Sequence, residues 1–368
     1  MARPMRIACF APYPALGPST RHRILALAPH WQAAGFALTL YPFMSERFYR
    51  IRKRFDRPGT ALKLLHFAWA SLLTLLRTLG CFRFDAVIIH REAFPLGPAW
   101  MERLICRLAR RSLYDLDDAI WNPPSQAINQ RGIFWRPERT RDIMRRCHVI
   151  VVGNQHLQRY AELALADPGS RHGQIALIPT GYDDLGGPAA QPARQAKPVI
   201  VWIGSEGNAE YLLPILPALQ MLAAQQPFTL RLIGGADIAT IQAAGIAFEY
   251  LPWSAEVETP ALLGSDIGIM PLPDNPYEQG KCGFKLVQYW SAGLPVVASP
   301  VGVNKDYVDG ANGVLAADPE AWLAALGSLL ESPAQRHKMG AAGYATYQAR
   351  FTRERCAQAW LPLLGKVA

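Results

Sequence analysis

Absences set the first bounds on this chain. Its six cysteines (Cys9, Cys81, Cys106, Cys147, Cys282 and Cys356) form no CxxC pair and no metal-type spacing. That excludes a disulfide scaffold and a zinc module and implies a reducing compartment. No secretory leader is legible, because Met1 to Arg6 runs straight into an apolar strand pattern, and the expectation is a cytoplasmic protein. No low-complexity run interrupts the sequence, and with 10% aromatic residues disorder is excluded. The strongly apolar stretch 61–81 is interrupted by Lys63 and Arg77, and the uncharged segment between them is too short to span a bilayer. Acid is scarce in the N-terminal half. Residues 1–195 hold 27 Lys+Arg against 14 Asp+Glu, and residues 196–368 hold 11 against 15, giving the net +9. A basic half facing a mildly acidic one suggests a polyanionic partner for the N-terminal half.

What is present fits two α/β domains. With 368 residues at 50% hydrophobic content, two separate cores are affordable. Residues 6–11 read as a strand, followed by a Pro/Gly loop, a helix that Ser19 or Thr20 caps, and a second strand at 36–41. Strand, loop, helix, strand opens a doubly wound sheet, whose ligands bind at the carboxyl ends of the strands. Arg21 and Arg23 stand in that first loop–helix position, either to meet an anionic group or as a solvated helix start. His90, at the end of the strand 84–90, is a candidate site residue or a structural histidine. Asp115, Asp117 and Asp118 end a further strand, where they suit a metal, acid/base work, hydroxyl recognition or the capping of a turn.

Arg47, Arg50, Arg52, Lys53, Arg54 and Arg57 interleave with Phe48, Tyr49, Ile51 and Phe55 just before the apolar stretch. The pair reads as a buried crossover helix or as an interfacial helix with a basic patch on anionic lipid. Interleaved aromatics also suit single-stranded nucleic acid, but no nucleic-acid module accompanies them, and none is expected as a partner.

Loop-like residues 183–197 mark a domain boundary. Beyond them, strands at 198–203, 228–233, 247–251 and 267–271 alternate with helices at 209–224 and from 261. The stretch DNPYEQGKCGFKLVQYWSAGLPVVASPVGV (274–303) follows, in which Lys281 and Lys285 stand where a loop becomes a helix. A helix N-terminus with two ammonium groups is a seat for a phosphate or diphosphate; a solvated loop before a core helix is the alternative. The tail from Asp318 is helical.

The passages LIPTGYDD, VIVWIGSEGNAEYL and DIGIMPLPDNPYEQGKCGFKLVQYWSAGLPVVASPVGVN resemble the retaining, metal-independent glycosyltransferases of GT-B fold (group 1, family 4-like). In the N-terminal half, GPSTRHR (17–23) and YDLDDAIW (114–121) are similar to what one bacterial branch of that group carries. The resemblance covers most of the chain. It implies two Rossmann-like domains facing a cleft: an acceptor-binding domain at 1–182, a linker at 183–197, a nucleotide-sugar-binding domain at 198–350, and a helix at 351–368 that packs back on the first domain.

Carried over residue by residue, the resemblance gives Lys285 the diphosphate, with Lys281 assisting, and Gly204-Ser205 a backbone approach to the phosphates. Gln288 faces the ribose and Trp253 lines the base pocket. His90 and Asp118, with Asp117, lie near the transferred sugar and acceptor, and Arg21 and Arg23 are on the acceptor side. Two departures stand out. The family's glutamate pair falls on Gly280 and Gln288, so sugar contacts pass to Glu278 or Asp274; the family's basic residue after the first C-domain strand is missing, with Glu206 and Asn208 there instead. No cofactor and no metal is implied, and no enzyme nucleophile stands out. The implied partners are a nucleotide-sugar donor, a glycan or lipid-linked acceptor, and an anionic membrane surface reached through 47–57 and 61–81. The setting is cytoplasmic, at the inner face of the membrane, and the role cell-surface polysaccharide synthesis. A nucleotide-sugar 2-epimerase and a non-catalytic nucleotide- or glycan-binding protein of the same fold are the alternatives.

Overall fold

The computed structural model describes residues 3–51, 57–123, 136–171, 173–191 and 197–365. Arg52, Lys53 and Arg54 of the basic cluster and residues 192–196 of the expected linker lie outside these, as do the side chains of Arg57 and Glu206. The chain forms two compact units, Met1–Gly181 with Arg353–Ala368, and Tyr182–Thr352.

The first unit is built on six parallel strands: β1 (Met5–Ala11), β2 (Phe36–Pro42), β3 (Ala86–His90), β4 (Ser112–Leu116), β5 (Val149–Val152) and β6 (Gln174–Leu177). Their order is β2-β1-β3-β4-β5-β6. The inner strands β3, β4 and β5 are buried along their whole length, as strands covered by helices on both faces must be. The tail helix Arg353–Leu364 belongs to this unit: Trp360 enters the core that holds Ile7, Ile24 and Leu113, with its ring 5.4 Å from that of Trp31.

The second unit has strands β7 (Val199–Gly204), β8 (Thr229–Gly234), β9 (Phe248–Leu251), β10 (Ile267–Met270), β11 (Val296–Ala298) and β12 (Gly313–Leu315) in the order β12-β11-β10-β7-β8-β9. In both sheets the order reverses beside the first strand, at β1/β3 and at β10/β7, which is where open α/β sheets form ligand crevices.

Several boundaries differ from expectation for physical reasons. Residues 183–191, expected as linker, pack on the second unit: Tyr344 Oη donates to Asp184, and Gln191 donates to the carbonyl of Ala292 at 3.0 Å. The helix expected over 209–224 is a 3-10 segment, Glu206–Ile215, followed by an α-helix, Leu216–Gln225; Pro214 sits inside the first and a proline begins the second. The helix expected from 261 starts at Ala255, where the Ser254 side chain caps it through Val257 N–H, and it runs through Pro260.

Candidate functional site

In the first unit, side chains from β1, β3 and β4 meet at the switch point. The helix after β1, Pro18–Arg23, is capped by Gly17 without any side chain. A Cβ at Gly17 would sit 2.5 Å from the Tyr13 side chain, so glycine is required there. Ser19 and Thr20, expected as caps, have other partners. Thr20 Oγ1 donates to the Tyr13 carbonyl at 3.0 Å, and Ser19 Oγ donates to Asp117 Oδ2 while lying 2.7 Å from His90 Nε2.

His90 is buried, and its Nδ1 lies 2.7 Å from Asp115 Oδ2. Ser19 Oγ donates to Asp117, and the His90 ring lies between Ser19 Oγ and the Asp115 carboxylate, within hydrogen-bond distance of both. The ring thus bridges two elements. Arg23, expected to meet an anion on the acceptor side, is fully buried and spends its fork on Asp115 at 2.8 and 3.0 Å, with a further bond to the Ile178 carbonyl. Its anion is internal. Arg21 is partly exposed, with its Nε 3.3 Å from His22 Nε2.

Arg91 follows His90 with φ +61°, the one non-glycine in the left-handed region among the described residues. Such a conformation costs about 1–3 kcal/mol and persists where the surroundings hold it. Here Arg91 N–H donates to the Asp115 carbonyl at 2.8 Å, and the Arg91 carbonyl accepts from Tyr114 Oη at 2.9 Å. The strained backbone turns the guanidinium toward Asp117 (3.6 Å) and Asp118 (3.2 Å). Burial by itself raises the Asp117 pKa; Arg91, then His90 and the Ser19 hydrogen bond, outweigh it and bring the carboxyl down to about 2. Asp117 is therefore an ion-paired carboxylate.

In the second unit, the expected donor-site residues gather at the carboxyl ends of β7 to β10. Gly234, at φ +95°, lies so close to β7 that a Cβ there would come within 2.2 Å of the Gly204 carbonyl oxygen. Gly235 N–H donates to that same oxygen at 2.9 Å. Two glycines in contact bare the backbone beside the exposed Ser205. The helix Phe284–Ser291 begins at Gly283, at φ +66°, again with no side-chain cap. In its first turn Lys285 holds its ammonium 5.9 Å from the Trp202 ring centroid, the ring that also packs against Gly204. Lys281 lies over the rings of Tyr277 and Tyr211, at 5.0 and 5.8 Å. Glu278, expected to reach sugar hydroxyls, is fully buried and accepts from Tyr211 Oη.

Gln288 is 4% exposed, and its amide donates to Glu258 Oε1 at 2.9 Å. The same carboxylate accepts from Tyr182 Oη and from the indole N–H of Trp253, whose ring is 38% exposed. Burial first, and then Glu258, raise the Tyr182 pKa, so its phenol stays a donor. Glu258 is a centre of this site that sequence reasoning missed. Its partners stand 5, 30 and 76 positions away, so no local pattern announces it.

Residues 197–332 match the family model described as "Glycosyl transferases group 1". No curated protein matches the chain by sequence. Among solved structures, a glycosyltransferase from Rickettsia africae ESF-5 is 14% identical with a TM-score of 0.66, each chain covered to 98%. Anabaena HepE in complex with UDP is 16% identical with a TM-score of 0.65, covering 96% of this chain and 98% of HepE. Sucrose-phosphate synthase from Thermosynechococcus elongatus is 16% identical with a TM-score of 0.66, covering 96% and 97%. The fold is that of GT-B glycosyltransferases, with one parallel six-stranded sheet in each unit of this chain. The matched segment contains every donor-side residue named above except Tyr182.

Proposed function

We propose that this chain is a retaining, metal-independent glycosyltransferase moving a hexosyl group from a nucleotide-diphosphate sugar to a glycan or lipid-linked acceptor. The observation that carries the reading is Lys285 in the first turn of an uncapped helix, beside the bared glycine backbone of Gly204 and Gly234. Breaking the bond between a sugar and a diphosphate leaves negative charge on the phosphate oxygen. Fixed cations and helix N–H dipoles stabilise that charge without reorganising as it forms. Lys285 is the main cation in this assignment, with Lys281 assisting.

The exposed Trp253 ring offers a stacking face for a base, and Gln288 with Glu258 offers a polar edge for ribose hydroxyls. Retention follows if the acceptor attacks the face the leaving group departs from, with the departing phosphate taking the acceptor proton. That route needs no nucleophile from the protein. His90 and Asp118 serve the transferred sugar, and Asp117 and Arg21 the acceptor. Arg23 is a positioning residue that fixes Asp115 and through it the His90 ring. HepE has been solved with UDP-glucose and with UDP and glucose, so UDP sugars lead the donor panel. The setting is cytoplasmic, and the pathway class is assembly of cell-surface polysaccharide.

The test is incubation with a panel of nucleotide sugars, with and without glycan and lipid-linked acceptors, reading free nucleoside diphosphate and the anomer of the product. Transfer with the donor's anomeric configuration supports the assignment. An epimerised donor, or binding without turnover, sinks it in favour of an epimerase or a binding protein.

A further inference from the structure

The helix Arg57–Leu79 turns an apolar face outward. Leu65, Trp69, Leu72, Leu76 and Leu79 recur at helical steps of four and three, so they form one line, and Leu65, Trp69 and Leu76 are 70%, 59% and 56% exposed. Leu64 and Ala68 flank the line, also exposed, and no charged residue interrupts it. The opposite face is committed to the unit. Ala70 joins Phe43, Phe94 and Met101 in one core cluster, Thr74 and Thr78 are buried, and the Arg77 guanidinium sits 4.9 Å from the Tyr41 ring centroid.

Gly59–Leu79 is long and apolar enough to cross a membrane. A crossing helix, however, needs its whole circumference in lipid or protein at that depth, and this one packs one face on the α/β unit, with Ala70 in the core cluster and Phe67 and Leu75 beside it. A helix with one apolar face and one committed face lies flat. The stripe from Leu64 to Leu79 is about 24 Å long at 1.5 Å per residue.

Cations stand at both ends of the stripe. Arg47 and Arg50 are exposed on the helix Glu46–Ile51, which is held to the long helix by the stacking of Phe48 on His66. Exposed Phe82 and Arg83 follow its C-terminal end, the guanidinium 5.5 Å from the ring centroid. This distribution chooses between occupants. A second copy covering the stripe, in either direction, would bring arginine-bearing ends against each other. A leaflet of anionic lipid meets both ends with opposite charge.

We infer that the helix Arg57–Leu79 is an in-plane membrane anchor, with its leucine–tryptophan stripe among the acyl chains and Arg47, Arg50 and Arg83 at the level of anionic headgroups. The inference goes beyond the reaction and stands without it, since none of these residues belongs to either site cluster.

Flotation of the full chain with vesicles tests it. The chain is expected to float with phosphatidylcholine vesicles containing phosphatidylglycerol and to stay behind with phosphatidylcholine alone. Leu72→Glu/Leu76→Glu is expected to weaken binding about tenfold or more with an unchanged melting temperature. Arg47→Glu/Arg50→Glu is expected to remove the salt-sensitive part. Absence of flotation by the wild-type chain, or equal flotation by the Leu72→Glu/Leu76→Glu variant, overturns the inference. So does sedimentation of the wild-type chain as a dimer that this variant dissolves, because the stripe then belongs to a second copy. Failure to turn over any donor leaves all these readouts intact and counts against the proposed reaction alone.

Discussion

The amide of Gln288 gives a proton to the carboxylate of Glu258 across 2.9 Å, in a site where both side chains are almost wholly buried. The resemblance to group 1 glycosyltransferases implies a glutamate at the position of Gln288. A glutamate there would set two carboxylates within hydrogen-bond distance, and one would have to take up a proton or withdraw. In this chain the carboxylate of the pair stands on the helix Ala255–Leu263 and the amide on the helix Phe284–Ser291.

Gln288→Glu alone is therefore expected to weaken binding of UDP, used as the probe, by about tenfold or more, with a loss of stability on the order of 2 kcal/mol. Glu258→Gln alone leaves the Trp253 indole, the Tyr182 phenol and two amides competing for a neutral oxygen, and should lose a similar amount. The exchanged pair, Glu258→Gln with Gln288→Glu, restores one carboxylate and one amide and should recover most of both losses. Calorimetric titration of the three variants decides it: a double variant no better than the worse single one rules out a shared role.

Lys285 lies in the first turn of a helix with no side-chain cap, so removing its ammonium takes a cation away from the proposed diphosphate seat. Lys285→Ala is expected to lower sugar transfer by about a hundredfold to a thousandfold, the range for deleting one preorganised electrostatic group. Steady-state rates on the best donor, with a melting curve as control, check this; wild-type transfer by the variant would end the assignment.

His22 is buried and its pKa falls to about 3, first because burial disfavours the charged ring and then because Arg21 and Arg353 repel it. The unfolded chain binds a proton near pH 6.5 that the folded chain refuses down to about 3. Between those limits the unfolded state holds more protons, so stability falls on acidification, by about 1.4 kcal/mol per pH unit at the steepest. His22→Gln is expected to flatten that part of the profile. Urea unfolding at pH 7 and pH 5 measures it, and equal pH sensitivity in the two proteins would refute it.

The sheets were legible because their inner strands are unbroken apolar runs, such as Ala86–His90 and Val199–Gly204, that only two-sided burial explains. The short strand Gly313–Leu315 was not legible, since three residues carry no period. Pro260 hid the first turns of its helix by imitating a stop. Lys281, Lys285 and His90 were visible as charge or imidazole at element ends. Their partners were not: Ser19 looked like a cap, and its bonds to His90 and Asp117 bridge 71 and 98 positions. Sequence distance conceals what the fold brings together.

The tail that closes the first core carries a consequence for the order of synthesis. Trp360, Leu363 and Leu364 fill a core begun by Ile7 and Cys9, so the unit that emerges first from a ribosome is completed last. The second unit, Tyr182–Thr352, is continuous in sequence and has all its strands before the tail exists. Chains halted at residue 352 should hold a protease-resistant second unit beside a first unit that is still cleaved, the reverse of the usual order. In the full chain, Trp360→Ala should cost about 3–5 kcal/mol, read as early unfolding of the first unit alone. Emergence of residues 353–364 is thus the step at which the His90 cluster acquires its finished scaffold.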